Sequence, residues 1–292
     1  MKRITDVLLL GSLVVGSLGM AAAQEHTMSP PKVLTVTREF VKPGKGGAMH
    51  DKAESAFVQA YGRTKWPTHY LAMGSLSGKP RVLFFVGYDS FEAWEKDVNA
   101  TNKNAALSGA LDRASVADGE LLDSMDQGAW AYREDYSLRA PADIPHMRYF
   151  DIAVFHVKPG HRKEWDDGMK MVLAAYEKLP ETRWACYEAA YGAPQGTFAF
   201  ITPRKSAAEI DRDFAQDKQF MAAMGDDGMK KLEELSAASI ESSETNLFAF
   251  NPKMSYVSDD WVKADPDFWK PKPAAAPAAA PKKPAEKPGT GQ

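Results

Sequence analysis

The chain has 292 residues, 44% hydrophobic, 11% aromatic and 26% charged, a globular composition that excludes collagen-like, low-complexity and multi-span membrane chains. A single cysteine, Cys186, excludes an intramolecular disulfide framework and any cysteine-rich zinc or iron–sulfur centre. The formal charge of −3 combines two basic ends with a more acidic body that carries no Lys/Arg stripe, so nucleic acid is excluded as a partner.

Residues 1–23 read as a secretory signal peptide. Lys2 and Arg3 precede a moderately apolar stretch from Val7 to Gly19, and Ala21 to Ala23 supply the small residues that cleavage before Gln24 requires. A membrane anchor is the competing reading, but the stretch is short and interrupted by Gly11, Gly16 and Gly19. The expected location is therefore secreted or periplasmic. The body holds no apolar run long enough for an integral membrane span.

An internal repeat organises the body. Val41-Lys42-Pro43-Gly44-Lys45 recurs as Val157-Lys158-Pro159-Gly160-His161, and Thr64-Lys65-Trp66 as Thr182-Arg183-Trp184. Gly78 and Val82–Val86 correspond to Gly196 and Phe198–Ile201, and Ser90 to Ser206, all in the same order. In the first copy, β-branched residues predict a strand over Val33–Val41, and a helix over Gly47–Tyr61 with Met49, Ala53, Phe57 and Ala60 on its buried face. Strands over His69–Ser75 and Arg81–Tyr88 follow, then helices over Ser90–Val98 and Asn104–Met125, and a strand over Ala129–Ser137. The second copy predicts a strand over Phe150–Val157 and a helix carrying Trp165, Met169, Val172, Tyr176 and Leu179. Strands over Trp184–Tyr191 and Thr197–Thr202 come next. A Ser206–Glu209 capping box then opens a helical region reaching Ala238, and Asn246–Phe250 closes the copy.

This order is the ferredoxin-like β-α-β-β-α-β arrangement, an α+β class. Apolar residues at both parities of Val82–Val86 imply burial on both sheet faces, so the two copies are expected to share a core with a pocket between their sheets; two independent domains are the competing arrangement. The expected organisation is a signal peptide over 1–23, repeats over 24–138 and 148–252, and a linker over 139–147. An aromatic extension over 253–270 (Trp261, Phe268, Trp269) and a disordered Pro/Ala/Lys tail over 271–292 complete it.

A first strand running into Val-Lys-Pro-Gly and then an amphipathic helix (Glu39 to Lys45; Phe155 to His161) resembles the dimeric α/β-barrel superfamily, above all its NIPSNAP-like and antibiotic-biosynthesis-monooxygenase-like members. The resemblance spans roughly 32–138 and 148–251. It implies a barrel that relatives build from two chains and this chain builds from one, as a monomeric intramolecular pseudo-dimer. Activities it implies include cofactor-free oxygenation, haem degradation and dehydration. Fold transfers better than function.

Candidate pocket residues are Glu39, Trp66, His69, His156, Trp184 and Tyr187. His69 aligns with Tyr187 on the second strands; Trp66 and Trp184 stand at equivalent positions and read either as helix-on-sheet packing or as ligand-stacking rings. Glu39 is a candidate general base if its strand face points into the barrel, and a solvated edge residue if it points out. His156 and His161 flank a Pro-Gly turn with no third ligand, so no metal and no cofactor are assigned. Cys186 reads as a small buried residue. No phosphate loop, nucleophile elbow or zincin motif occurs. The function expected is binding of a small apolar or aromatic ligand between the sheets, or a structural module. The alternative is a cofactor-independent monooxygenase-like enzyme using Glu39 or His69.

Overall fold

The computed structural model describes residues 27–270; the signal-peptide and Pro/Ala/Lys-tail assignments lie outside the described residues. In the first half, β1 (Val33–Val41) leads to α1 (Ala48–Thr64), β2 (Leu71–Ser75), β3 (Arg81–Tyr88), α2 (Phe91–Lys103), α3 (Ala105–Gly119) and β4 (Leu122–Tyr132). The second half runs through β5 (Tyr149–Val157), α4 (Arg162–Tyr176), β6 (Ala185–Tyr191), β7 (Thr197–Arg204), α5 (Ala208–Met224), α6 (Asp226–Ser239) and β8 (Ile240–Phe250). Two short helices, α7 (Asp259–Ala264) and α8 (Pro266–Trp269), end the described chain. Among the described residues, no helix is long and apolar enough to cross a membrane.

All eight strands form one closed antiparallel barrel in the order β1-β3-β2-β8-β5-β7-β6-β4. Each half therefore contributes four adjacent strands, and two seams join them. At one seam Met73, Gly74 and Ser75 of β2 pair with Phe250, Ala249 and Phe248 of β8. At the other, Ala129–Tyr132 of β4 pair with Tyr191–Tyr187 of β6 across a bulge at Ala129/Trp130. The second seam brings backbones so close that a Cβ on Gly192 would lie 2.1 Å from the Gln127 carbonyl oxygen, and its φ of +80° suits glycine as well. Closure removes the edge strands that an open sheet would leave for aggregation.

Alternation along β1 decides what faces where. Leu34 and Val36 point into the barrel, where they meet Leu71, Met73, Leu83, Phe85, Phe150, Ile152, Tyr187, Ile201, Phe248 and Phe250 in one apolar core. Odd-numbered Glu39 points the other way, under α1 and α3. The helices pack on the outside of the barrel. Ser90 caps α2 by accepting from Ala93 N, and Asn104 caps α3 by accepting from Leu107 N, both at 3.1 Å.

Three expectations are corrected. Strand β4 begins at Leu122 rather than Ala129, because pairing with β1 claims a polar segment that reads as helix in isolation; Arg38 and Asp126 face each other in that ladder and form a bidentate ion pair. The buried face of α1 is His50, Glu54 and Ala60, while Met49 is half exposed, so the face is rotated by one residue. The Ser206–Glu209 capping box does not form: Glu209 accepts instead from Lys205 N, and α5 starts at Ala208 with no side-chain cap.

The connection between the halves is tied down. Met28 and Ala142 pair as an isolated bridge, and Ala142, Pro145 and Met147 are buried. Trp269 of α8 reaches the barrel core, 4% exposed, against Phe250, Trp261 and Phe268, and its Nε1 donates to the Pro145 carbonyl at 2.9 Å. Truncating it removes a buried indole and strands a carbonyl. Trp269→Ala is expected to cost about 3–5 kcal/mol in chemical denaturation. A loss below about 1 kcal/mol would mean that α8 lies on the barrel without holding it.

Candidate functional site

Among the described residues, a cavity of about 430 Å³ under α4, α5 and α6 takes in Trp184, and two other places combine enclosure with chemistry. The first is one mouth of the barrel, a cavity of about 820 Å³ whose floor is Leu34, Leu71, Phe85, Phe150, Tyr187 and Ile201. Its rim comes from Met28–Lys32, from Ala140 and Ile144 of the inter-half connection, and from Val257, Ser258 and Trp261. The volume lies within the range of small-molecule pockets. Below this floor the barrel interior is filled by Met73, Leu83, Ile152, Phe248 and Phe250.

Polar groups at this mouth are mostly engaged. The Tyr187 hydroxyl donates to the Pro31 carbonyl at 3.2 Å, and burial pushes its pKa up. Asp97 of α2 accepts from Trp66 Nε1 at 2.9 Å, Thr68 Oγ1 at 2.7 Å and Tyr88 Oη at 2.9 Å. His69 stacks on Tyr256, ring centres 4.9 Å apart. Burial lowers its pKa below the usual histidine value against the pull of Asp259, which favours a neutral imidazole at the rim.

The second place is the interface between β1, α1 and α3. Glu39, His50, Glu54 and Asp118 are all buried there, with ligand atoms within 4.8 Å of one another. His50 Nε2 lies 3.2 Å from Glu39 Oε2, 3.2 Å from Asp118 Oδ1 and 4.0 Å from Glu54 Oε1. One ring nitrogen carries at most one proton, so it satisfies at most one of three oxygens. Glu54 Oε1 and Asp118 Oδ1 are indeed buried without a hydrogen-bond partner. Burial raises the Glu39 pKa, partly offset by the His50 hydrogen bond; burial, then repulsion from Glu39 and Asp118, pushes Glu54 up to about 9. Burial disfavours the charged imidazole of His50, but its carboxylate neighbours Asp118 and Glu39 win and raise it to about 10.

The sequence-derived candidates divide between these places and others. His69 and Tyr187 both line the barrel mouth. Trp66 stands behind it, on Asp97, with its carbonyl accepting from Tyr256 Oη. Trp184 lies outside the barrel in the second half's helix–sheet core, edge to face with Tyr176 and Phe200, with Nε1 donating to the Tyr136 carbonyl at 2.7 Å. His156 sits near the opposite end of β5, 3.6 Å from Glu241, because that end carries the polar cross-strand pairs. Glu39 is neither inside the barrel nor solvated: it faces outward but is covered by two helices.

His50, Glu54 and Asp118 are absent from the sequence reading. The available signal was the i, i+4 spacing of His50 and Glu54. Ala60 and Ala175 are both buried at the same stage of α1 and α4, which sets His50 and Glu54 opposite Trp165 and Met169, one residue out of step with the strands. The longer β1–α1 loop, with Gly46 and Gly47, hides this shift.

No protein-family model matches the chain, and no curated protein does. Among solved structures it is similar to an anthrone oxidase-like protein, at 16% identity and a TM-score of 0.50, covering 77% of this chain and 94% of that one. A mutant chlorite dismutase from Candidatus Nitrospira defluvii shares 10% identity at a TM-score of 0.47, covering 79% of this chain and 96% of that one. The first likeness carries the assignment: an α+β structure whose eight-stranded antiparallel barrel has the fold of the dimeric α/β barrels. At this identity it speaks of the fold alone.

Asp97 ties α2 to the rim of the mouth through three donors. Asp97→Ala is expected to lower stability by about 2–4 kcal/mol, since part-buried Trp66, Thr68 and Tyr88 donors lose a charged acceptor together. Urea denaturation of the variant checks this, and Asp97→Asn should recover part of the loss.

Proposed function

We propose that this chain is an exported single-chain barrel, a tandem duplication of a ferredoxin-like unit in the NIPSNAP-like manner, that binds a small apolar or aromatic molecule in the barrel mouth. The observation carrying the reading is the cavity of about 820 Å³ with an apolar floor and a rim whose polar groups are mostly engaged. Such a site gains affinity by excluding water from aromatic surface and uses few polar contacts for orientation. Tyr187 is bonded to backbone and Glu39 lies outside the barrel, so of the sequence-derived acid–base candidates His69 alone lines the mouth.

Titration of the full chain with N-phenyl-1-naphthylamine tests the site. One saturable site is expected by fluorescence, and Ala185→Trp, which fills the mouth from β6, should weaken it at least about tenfold. Binding that is absent, or indifferent to Ala185→Trp in a folded variant, overturns the reading. Dioxygen uptake with a phenolic substrate, lost in His69→Ala, would instead establish the cofactor-independent oxygenase alternative.

Assembly and export follow from the same reading. Both sheets of the barrel come from one chain, so light scattering is expected to return the mass of a single chain. N-terminal sequencing of the protein from its own host is expected to begin at Gln24. A cytoplasmic form that retains Met1 would refute export.

A further inference from the structure

The helix–sheet interface of the first half contains a set of groups that the fold itself does not require. The second half shows this directly. Strand registers place Phe155 opposite Phe198 and Ser243 as Glu39 is placed opposite Val82 and Met125. Trp165 and Met169 of α4 fill the places of His50 and Glu54 in α1, and the last turn of α6 buries Leu235 and Ser239 where that of α3 buries Asp118. There aromatic rings fill the interface: Trp165 stacks on Phe198 at 5.1 Å, and Phe155 meets Phe200 edge to face at 5.6 Å. An apolar interface closes a helix on this sheet. The first half instead buries three carboxylates and an imidazole at the same level.

Burying three carboxyl groups beside one imidazole is expensive whichever of them are ionised. Its Nε2 has one proton to give, and Glu54 Oε1 and Asp118 Oδ1, on side chains 4% and 3% exposed, have no partner. Both orphaned oxygens lie around the same nitrogen. A cation answers all four groups at once, since it interacts with several oxygens and needs no proton on any of them.

We propose that Glu39, His50, Glu54 and Asp118 form a binding site for one divalent cation of the manganese, iron(II) or zinc class. One imidazole with three carboxylates is a hard-to-borderline donor set, suited to these ions and unsuited to copper(I). Ligand bonds of about 2.0–2.2 Å put donor atoms roughly 3–4.4 Å apart around an ion. The 3.2, 3.2 and 4.0 Å separations from Nε2 fall in that span. The ligands come from three elements: Glu39 from β1, His50 and Glu54 from successive turns of α1, Asp118 from the last turn of α3. Such a site clamps both helices to the sheet.

The test uses the full chain, stripped with a chelator and titrated separately with Mn²⁺ and Zn²⁺ by calorimetry, with metal content measured after gel filtration. One equivalent per chain and a raised Tm are expected. Glu54→Gln and Asp118→Asn should each weaken binding at least about 100-fold, the upper end of what changes one shell further out produce. Asp51→Asn, in the same helix but pairing outward with Asn251 and Lys253, should leave affinity unchanged. X-ray absorption of the metal-loaded wild-type chain should show one imidazole nitrogen among oxygen ligands. No stoichiometric binding, a first shell without imidazole, or unchanged affinity in folded Glu54→Gln and Asp118→Asn overturns the proposal. If both variants fail to fold, the absorption spectrum of the wild type decides it alone.

Discussion

Two short seams hold this molecule closed, and the position of the barrel mouth follows from them. Each half offers a four-stranded sheet with an apolar inner face, and neither half can cover its own. Three residue pairs between β2 and β8 and the pairs around the Ala129 bulge between β4 and β6 join the sheets. Seams this short would be weak as isolated ladders. They hold because Met73, Phe248 and Phe250 at the first seam, and Trp130, Tyr132 and Tyr187 at the second, are also part of the interior core. Flanking contacts extend them: Leu76 N donates to the Leu247 carbonyl, Leu247 N to Ser77 Oγ, and Tyr70 bridges Tyr256. At Gly78 a Cβ would come within 2.3 Å of Asn246 Oδ1, so the turn after the first seam is fitted to the opposing strand.

Closure also explains why the cavity is at a mouth and not along the axis. Eight strands enclose an interior that side chains can fill. Phe150, Phe248 and Phe250 do so at mid-height, with Phe150 and Phe250 edge to face at 4.7 Å. Space remains only where the strands end and the chain must supply a lid. Here the lid is built from the segment before β1, the connection between the halves, and α7. These segments are pinned at Met28–Ala142, at Trp269–Pro145, and through Arg148, which pairs with Asp265 and lies over the Phe268 ring. The mouth is thus shaped by residues outside the eight strands.

Much of this was legible in the sequence, and the failures share a cause. Strands β1 and β3 match their expected spans to the residue, because Val33–Val41 and Arg81–Tyr88 are β-rich and bounded by turns. The first seven residues of β4 were not legible, since Asp123, Ser124 and Asp126 are in a strand only through pairing with β1 and the Arg38 ion pair. His69 and Tyr187 could be found by aligning the two similar stretches of sequence. The buried quartet could not be found by looking for apolar faces, because on α1 the buried positions at 50 and 54 are the polar ones. Hydrophobic periodicity identifies the core-facing side only where the core is apolar. A helix whose best apolar face, Met49-Ala53-Phe57, is one residue off its buried face signals that something other than packing selects its orientation.

Strand β1 separates the two sites by alternation alone. Leu34 and Val36 face the interior, with Leu34 on the floor of the mouth; Glu39 faces outward into the quartet. A shift of one residue in the β1 register would place a carboxylate in the barrel core and a leucine under α1. The ladder to β3 pairs Leu34 with Gly87 through Phe40 with Arg81 without a break, and the Arg38–Asp126 ion pair fixes the ladder to β4. The register that keeps the core dry is therefore the one that assembles the quartet.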